Sequence, residues 1–343
     1  MGQQVVGVAG STGFVGRYVV RELLSRGHRV RALVRDLKKA GAVLPAHESL
    51  ELVEGQAHTV AGASALARGV DAIVNCVGII RAVRGGQAFE QAHVDVPKRL
   101  TEQLRAAYAS KQPAGETTEE GIAARFVQIS ALGVTDNHPQ GICEYQRSKF
   151  EGEMVVRRSG LSWTILRPGL IHGADGEFMQ MAKGWATGRA APFLFMPYFA
   201  RRTDGTMSLV PGKTTAPTVS PVYVGDVAWA VAESLSRDQA VGEIFNLVGS
   251  ESLTWPELLE KVRDTVPNGR RSQRVIGIPG PLAVAKARGL KLLGMDGLLP
   301  FDDGMALMGM RDSVAEPVKA RTMLGFEPGG FRSTFEQYAP SMV

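Results

Sequence analysis

Tyr145 and Lys149, four residues apart in the run YQRSK, are the residues of this 343-residue chain best placed to do chemistry together. On a helix, positions i and i+4 share a face, so the phenol and the ammonium would point the same way. A phenol with a pKa of about 10 is a poor acid or base at neutral pH, and an adjacent ammonium favours the phenolate and lowers that value. Ser130, fifteen residues before the tyrosine, ends a strand-like run, FVQIS, and its hydroxyl could hold a substrate oxygen while hydride moves. A Y-x-x-x-K pair alone is an ordinary feature of helices. What lies upstream gives it weight.

That upstream feature is Gly10-Ser11-Thr12-Gly13-Phe14-Val15-Gly16, directly after the apolar run Val5–Ala9 and opening a helix-periodic stretch. The glycines permit a tight turn and close backbone approach to a pyrophosphate, and the helix start offers unpaired N–H groups and a positive dipole end. At the end of the next strand-like run stands Val34-Arg35-Asp36. A guanidinium there would pair with the 2′-phosphate of NADP, and Ser11 could add a hydroxyl to it, whereas a carboxylate would bond the ribose of NAD. Arg35 favours NADP(H) over NAD(H); Asp36 is the competing reading. The run Ala72-Ile-Val-Asn75-Cys76-Val77-Gly78 ends a further strand whose carboxyl end would line the cofactor crevice.

The elements that must position these groups alternate regularly. Val15–Ser25 has helix periodicity with Val19, Val20, Leu23 and Leu24 on one face, Arg29–Val34 alternates as a strand, and Ala72–Val77 reads as a buried strand. Pro97–Tyr108 reads as a helix, Phe126–Ser130 as a strand, Tyr145–Arg158 as a helix and Trp163–Leu166 as a strand. This repetition predicts an α/β fold: a doubly wound parallel sheet of the Rossmann kind with a smaller C-terminal mixed α/β lobe. Lys111–Ala124 reads as a polar loop, and Pro192–Pro221 as an irregular, substrate-facing connection. Val227–Ser236 and Trp255–Val266 are helix candidates, the second with Thr254 as N-cap and Glu257 three residues on. The expected division is 1–170 for nucleotide, its sheet completed by parts of 218–250, and 171–343 facing substrate or partner.

Composition narrows the function classes. The chain is 44% hydrophobic and 21% charged, as ordinary globular proteins are. Cys76 and Cys143 are its two cysteines, which excludes a disulfide framework and suits a reducing, cytoplasmic compartment, or a mitochondrial matrix if the chain is processed. The net charge of +5 suits anionic ligands, yet the cations are scattered, so no nucleic-acid groove is expected. The six histidines lack metal-ligand spacing. Cys143 beside Tyr145 reads as a passive small residue. The stretch PLAVAKARGLKLLGM (281–295) mixes aliphatics with Lys286, Arg288 and Lys291. It could lie on a membrane surface, dock on a partner, or pack against the second lobe.

The motifs GSTGFVG, YQRSK, LRPGLIHG and PVYVGDVAWAV occur in an order that resembles the extended or atypical short-chain dehydrogenase/reductases. More narrowly, YQRSKFEGE, PVYVGDV and FNLVGSESLTWPELLE resemble the branch that contains the nucleotide-binding accessory subunit of mitochondrial complex I and its bacterial relatives, over roughly residues 4–265. The resemblance implies a phosphate loop at Gly10, Gly13 and Gly16, a basic NADP residue at Arg35, and a catalytic triad of Ser130, Tyr145 and Lys149, with Lys149 also on the nicotinamide ribose. It places Pro168 and Gly169 in the turn flanking the nicotinamide. Two positions depart from the family pattern: Gly55-Gln56 replaces a Gly-Asp, and His93 stands where many members carry asparagine. The expected function is NADP(H)-dependent hydride transfer on a carbonyl/alcohol pair of an unidentified small molecule. The same branch implies an alternative, a nucleotide-holding subunit or assembly factor of a respiratory complex, with contact to a membrane complex or surface through the C-terminal lobe. A nucleotide-sensing regulator is a third reading, and family members often form homodimers.

Overall fold

Runs of Val, Ile, Leu and Ala bounded by glycine and polar turns become strands, and the 3.6-periodic stretches between them become helices. In the computed structural model, which describes residues 2–81, 88–110, 122–295 and 298–342, the first half runs β1 (Val5–Ala9), α1 (Phe14–Ser25), β2 (Arg29–Val34), α2 (Leu37–Val43), β3 (Leu50–Glu54), α3 (Val60–Ala67), β4 (Ala72–Asn75), α4 (Val96–Ala109), β5 (Ile122–Ile129), α5 (Glu144–Arg157) and β6 (Leu161–Pro168). The second half runs β7 (Ile171–His172), α6 (Glu177–Ala186), β8 (Phe195–Arg202), β9 (Thr214–Thr215), β10 (Thr218–Val219), β11 (Val222–Tyr223), α7 (Val224–Ser236), β12 (Glu243–Leu247), β13 (Leu253–Thr254), α8 (Trp255–Thr265), β14 (Arg274–Pro279), α9 (Gly280–Leu292), α10 (Asp303–Gly309), α11 (Val318–Leu324) and α12 (Phe331–Tyr338).

The central sheet has seven strands in the order β12-β6-β5-β4-β1-β2-β3, all parallel. It is the doubly wound sheet that the strand–helix rhythm predicts. The order reverses between β1 and β4, and the crevice outside the strand ends at that switch point is where such sheets bind ligands. Side-chain alternation along each strand feeds two cores. Val6, Val8, Val74, Val127 and Leu166 pack on one face with the buried side of α1 and with α7. Ala9, Ile73, Phe126 and Ile165 pack on the other with Leu66, Leu100 and Leu104 of α3 and α4. Val19, Val20, Leu23 and Leu24 are all buried, as the periodicity of α1 predicts.

The differences from the sequence reading are local and have identifiable causes. The third strand of the alternation stops at Asn75 rather than Val77, because the Asn75 side chain accepts the Val77 N–H at 3.1 Å and turns the chain. Residues 111–121 of the expected loop lie outside the described residues, and β5 already begins at Ile122. The helix before β5 is preceded by a π turn, Gln91–Asp95. Pro97 has no N–H to give to the His93 carbonyl, and a Cβ on Gly152 of α5 would lie 1.9 Å from that oxygen, so the two helices meet there only because residue 152 is glycine. The capping box of Thr254 and Glu257 is present in full.

Beyond β6 the chain builds smaller sheets, β14-β8-β9, β10-β13 and β11-β7, around a third apolar cluster containing Met196, Leu258, Phe331 and Phe335. Two segments of this half return to the large sheet: α7 packs on α1, and β12 becomes the edge strand beside β6. Among the described residues no helix is long and apolar enough to cross a membrane.

Candidate active site

The glycine loop is wedged between α1 and the end of β4. Gly10 has φ +75°, and a Cβ there would lie 2.9 Å from the backbone of Cys76 and Val77. A Cβ on Gly16 would lie 2.1 Å from the Gly10 carbonyl oxygen. The loop closes on itself through the Gly13 N–H donating to Gly10 O at 3.0 Å. No side chain caps the start of α1, and its first turn carries no acidic residue, so its N–H groups and dipole face outward unneutralised. Thr12 and Gly13 are exposed there. This geometry fits a dinucleotide pyrophosphate, with backbone 10–16 as its cradle.

The remaining residues expected in the loop do other work. Ser11 is fully buried, and its hydroxyl donates to Leu33 O at 2.9 Å, which ties the loop to β2 and directs that group away from any phosphate. Phe14 packs its ring under Gly173 and Gly176, each of which would clash with it if it carried a Cβ. Arg17 pairs with Asp175 of the same segment at 2.8 Å. Val15 packs on the core beneath.

At the end of β2, Arg35 is exposed and no described carboxylate pairs with it. Asp36 is occupied: its side chain accepts the Lys39 N–H at 3.1 Å and caps α2. The two candidates for reading the adenosine ribose are therefore unequal, with the guanidinium free and the carboxylate engaged. Gly55 and Gln56 close the β3 turn, the Gln56 carbonyl accepting from the Thr59 hydroxyl and N–H.

Tyr145 and Lys149 lie one turn apart on α5, as their spacing predicts, with the Lys149 Nζ 6.0 Å from the tyrosine ring centre. Lys149 is buried, and its ammonium donates to Ile129 O at 3.3 Å. A Cβ on Gly78 would stand 3.0 Å from that ammonium, so the lysine packs against the bare backbone after β4. Burial pushes the lysine down to about 8, against the pull of Glu153. The phenol moves the opposite way from the simple ammonium argument: burial raises Tyr145, with Cys143 adding to it. Desolvation outweighs charge here because the Nζ points to a carbonyl rather than to the phenol. Cys76, beside the crevice, is likewise raised by burial, to about 12, and is no nucleophile at neutral pH.

Ser130 sits at the end of β5, but its Oγ donates to the Glu153 carboxylate at 2.6 Å. Glu153 is fully buried and is gripped by Arg167 at 2.6 and 2.8 Å and by Arg157 at 3.0 Å. The structure thus brings Tyr145 and Lys149 together and gives the serine hydroxyl a separate, structural partner. Tyr145, Lys149 and Glu153 follow one another at four-residue steps, so the sequence did carry the signal that the glutamate shares their face. Pro168 ends β6, and Gly169 donates its N–H to Leu247 O at 2.9 Å, holding that turn beside β12.

His93, one of the two departures from the family pattern, lies against the helix that carries Tyr145. Its Nδ1 lies 2.8 Å from the Ser148 Oγ, and its Nε2 accepts the Ile79 N–H at 3.2 Å. Ser148 in turn donates to Tyr145 O at 2.9 Å, which leaves Nδ1 as the protonated nitrogen. Burial holds the ring neutral, down to about 2. Its ring meets that of Tyr145 edge-on at 5.4 Å and stacks on Phe89 at 5.5 Å. His93 therefore braces the loop after β4 against the helix that carries Tyr145.

A cleft of about 560 Å³ opens beside Tyr145. Ile80, Phe89, Ile142 and Cys143 line one wall, and Arg288, Lys291, Asp303 and Met308 line the other. The second wall belongs to α9, α10 and the segment after α9, whose place at this site only the fold reveals. Among the described residues no cluster of His, Cys, Asp and Glu could hold a metal ion.

A family model described as NAD(P)H-binding matches residues 10–184, just over half of the chain. The mitochondrial NADH dehydrogenase (ubiquinone) 1 alpha subcomplex subunit 9 of Arabidopsis thaliana is 27% identical over 291 residues, which is 82% of this chain and 62% of that protein. A ceramide reductase of Caulobacter vibrioides is 32% identical over 171 residues, 49% of this chain and 47% of that one. The chain thus spans less than two thirds of either relative's length. Among solved structures, the UDP-glucose 4-epimerase of Thermus thermophilus in complex with NAD superposes with a TM-score of 0.67 at 19% identity, over 97% of this chain and 96% of that one. These matches agree with the resemblance to the extended short-chain dehydrogenase/reductases.

Proposed function

The chain belongs to the NAD(P)H-binding family, and on that premise we propose that it is a reductase using NADP(H) to interconvert a carbonyl and an alcohol. One observation carries this reading: Tyr145, on the wall of a substrate-sized cleft, shares a helix face with a buried Lys149 whose ammonium lies beside the backbone of Gly78 that follows β4. When bound, the nicotinamide supplies or accepts the hydride.

The chain's own residues supply the rest. Backbone 10–16 and the start of α1 hold the pyrophosphate, and Lys149 and the backbone of Cys76, Val77 and Gly78 line the nicotinamide end with Pro168 and Gly169. Tyr145 is protonated at neutral pH, as a phenol ordinarily is, and burial raises it further, so its Oη acts as the acid that gives a proton to the carbonyl oxygen. Lys149, whose ammonium donates to Ile129 O rather than to the phenol, serves the nicotinamide ribose, and the proton that restores the phenol comes from solvent through the cleft. Arg35 receives the 2′-phosphate, since it is free while Asp36 caps α2. The first 170 residues with part of 218–250 form the nucleotide-binding unit, and the remainder shapes the substrate cleft.

A second reading has its own observation. The Ser130 hydroxyl is committed to Glu153, which leaves no serine donor shown at Tyr145, and a site with that gap could hold nucleotide without turnover. Similarity to a subunit of NADH dehydrogenase points the same way. NADPH titration and exchange on purified protein, followed by NADPH oxidation against ketone and aldehyde substrates, tests both. Exchangeable NADPH and turnover abolished in Tyr145→Phe support the reductase. Nucleotide that co-purifies and neither exchanges nor oxidises supports the structural role.

A further inference from the structure

The cleft beside Tyr145 ends in an apolar surface that the protein leaves uncovered. Lys291 and Gly294 belong to its wall, and the residues around them project into solvent. Leu292 is 89% exposed, Leu293 73%, Met295 45% and Leu298 65%. The inner face of α9 is already satisfied, with Ala283, Val284 and Ala287 buried against Ala306 of α10 and Met310 just after it. Leu282 near the start of α9 is 55% exposed by itself, whereas Leu292, Leu293, Met295 and Leu298 gather at its far end, and large apolar side chains gathered on a surface mark a place of contact.

Charge says what the contact is. Residues 286–295 carry three cations, Lys286, Arg288 and Lys291, and no carboxylate, and the one acidic residue between them and Leu298 is Asp296. Lys286 and Lys291 are exposed, and no described carboxylate pairs with either. Arg288 pairs with Asp303 at 3.1 Å while its side chain stays 60% exposed. Leucines at a helix end, edged by lysines, match the two layers of an anionic bilayer surface: the cations meet phosphate, and the aliphatic groups sink to the acyl boundary. We propose that the end of α9, Lys286–Met295 with Leu298, is a docking lip that seats this protein on anionic membranes, with the Tyr145 cleft opening at the lip. The docking stands on the exposure and charge of α9; the cleft as a substrate entry rests on the reductase reading.

Sedimentation of the full chain with phosphatidylglycerol-rich vesicles, and with vesicles of phosphatidylcholine alone, tests it. NADPH titration of the same samples reports on folding and on the nucleotide site. Binding to the anionic vesicles is expected, weakening as salt is raised and falling about tenfold or more in Leu292→Ser/Leu293→Ser and several-fold in Lys286→Glu, with NADPH affinity retained. Equal binding to both vesicle types, no binding to either, or a leucine variant that sediments like the parent overturns the proposal. So does a parent protein that self-associates through these leucines and ignores vesicles, since a second copy then covers the lip. Failure to bind NADPH with vesicle binding intact would instead sink the reductase reading and leave the lip standing.

Discussion

Replacing Gly16 by alanine puts a methyl group where the structure has no room for one. The new Cβ would stand 2.1 Å from Gly10 O, 2.8 Å from its carbonyl carbon and 2.9 Å from the Ser11 Cα. A carbon–oxygen contact relaxes at about 3.3 Å, so the loop would have to retreat by roughly 1.2 Å. It cannot do so freely. All three obstructing atoms are backbone, and Gly10 is itself backed against Cys76 and Val77. Overpacking of this kind costs about 1–3 kcal/mol, which at this chain length lowers Tm by about 1–4 °C. The larger effect falls on the ligand. A phosphate oxygen that loses one charge-assisted N–H bond gives up about 1.5–3 kcal/mol, a rise in Kd of about 10- to 150-fold. Fluorescence titration with NADPH and a thermal melt read the two effects separately. Gly41→Ala, on a helix where a Cβ meets nothing within 4 Å, serves as the control and should leave both unchanged or raise Tm slightly. If Gly16→Ala binds NADPH within threefold of the parent, the assignment of the loop as a phosphate cradle is wrong.

Arg35→Ala should weaken NADPH binding by about tenfold or more and leave NADH nearly untouched, as read by paired titrations; an equal loss for both nucleotides would refute its role. Ser130→Ala should lower turnover by less than about tenfold, because its hydroxyl serves Glu153, and kinetics matching Tyr145→Phe would show the serine to be catalytic after all. Glu153→Ala strands Arg167 and leaves Arg157 with Asp136 alone, and should destabilise the fold by about 3–5 kcal/mol in a denaturant melt, with Glu153→Gln milder. Lys149 gives a pH test. Its folded pKa of about 8 lies below the unfolded value of about 10.4, so the unfolded chain binds more protons between those values and stability from this group rises with pH across that window. Lys149→Met should remove that slope and raise Tm at neutral pH while weakening nucleotide binding; an unchanged pH–stability curve would show that the lysine is not desolvated.

What the sequence settles by itself is local and periodic. Alternation at two residues defines β2 to its ends, and periodicity near four defines the buried face of α1. The glycines at 10, 13 and 16 announce a tight loop, whose closure the missing Cβ atoms of Gly10 and Gly16 permit, and the step from Tyr145 to Lys149 puts both on one face of α5. Such signals survive because they depend on neighbours within a turn or a pleat. Tertiary structure decided the partners. Ser130 could have faced a substrate, and its hydroxyl instead meets a carboxylate delivered by another element, held there by arginines on α5 and β6. The ammonium of Lys149 was expected to lower the phenol, yet burial by residues far along the chain raises Tyr145 and depresses the lysine. His93 becomes a brace because Ile79 and Ser148 arrive on either side of it. The wall that completes the cleft comes from α9 and α10, well over a hundred residues after Tyr145. Which hydrogen-bond partner a group finds, and how much water it loses, are set by atoms brought together from distant parts of the chain, and periodicity carries no record of them.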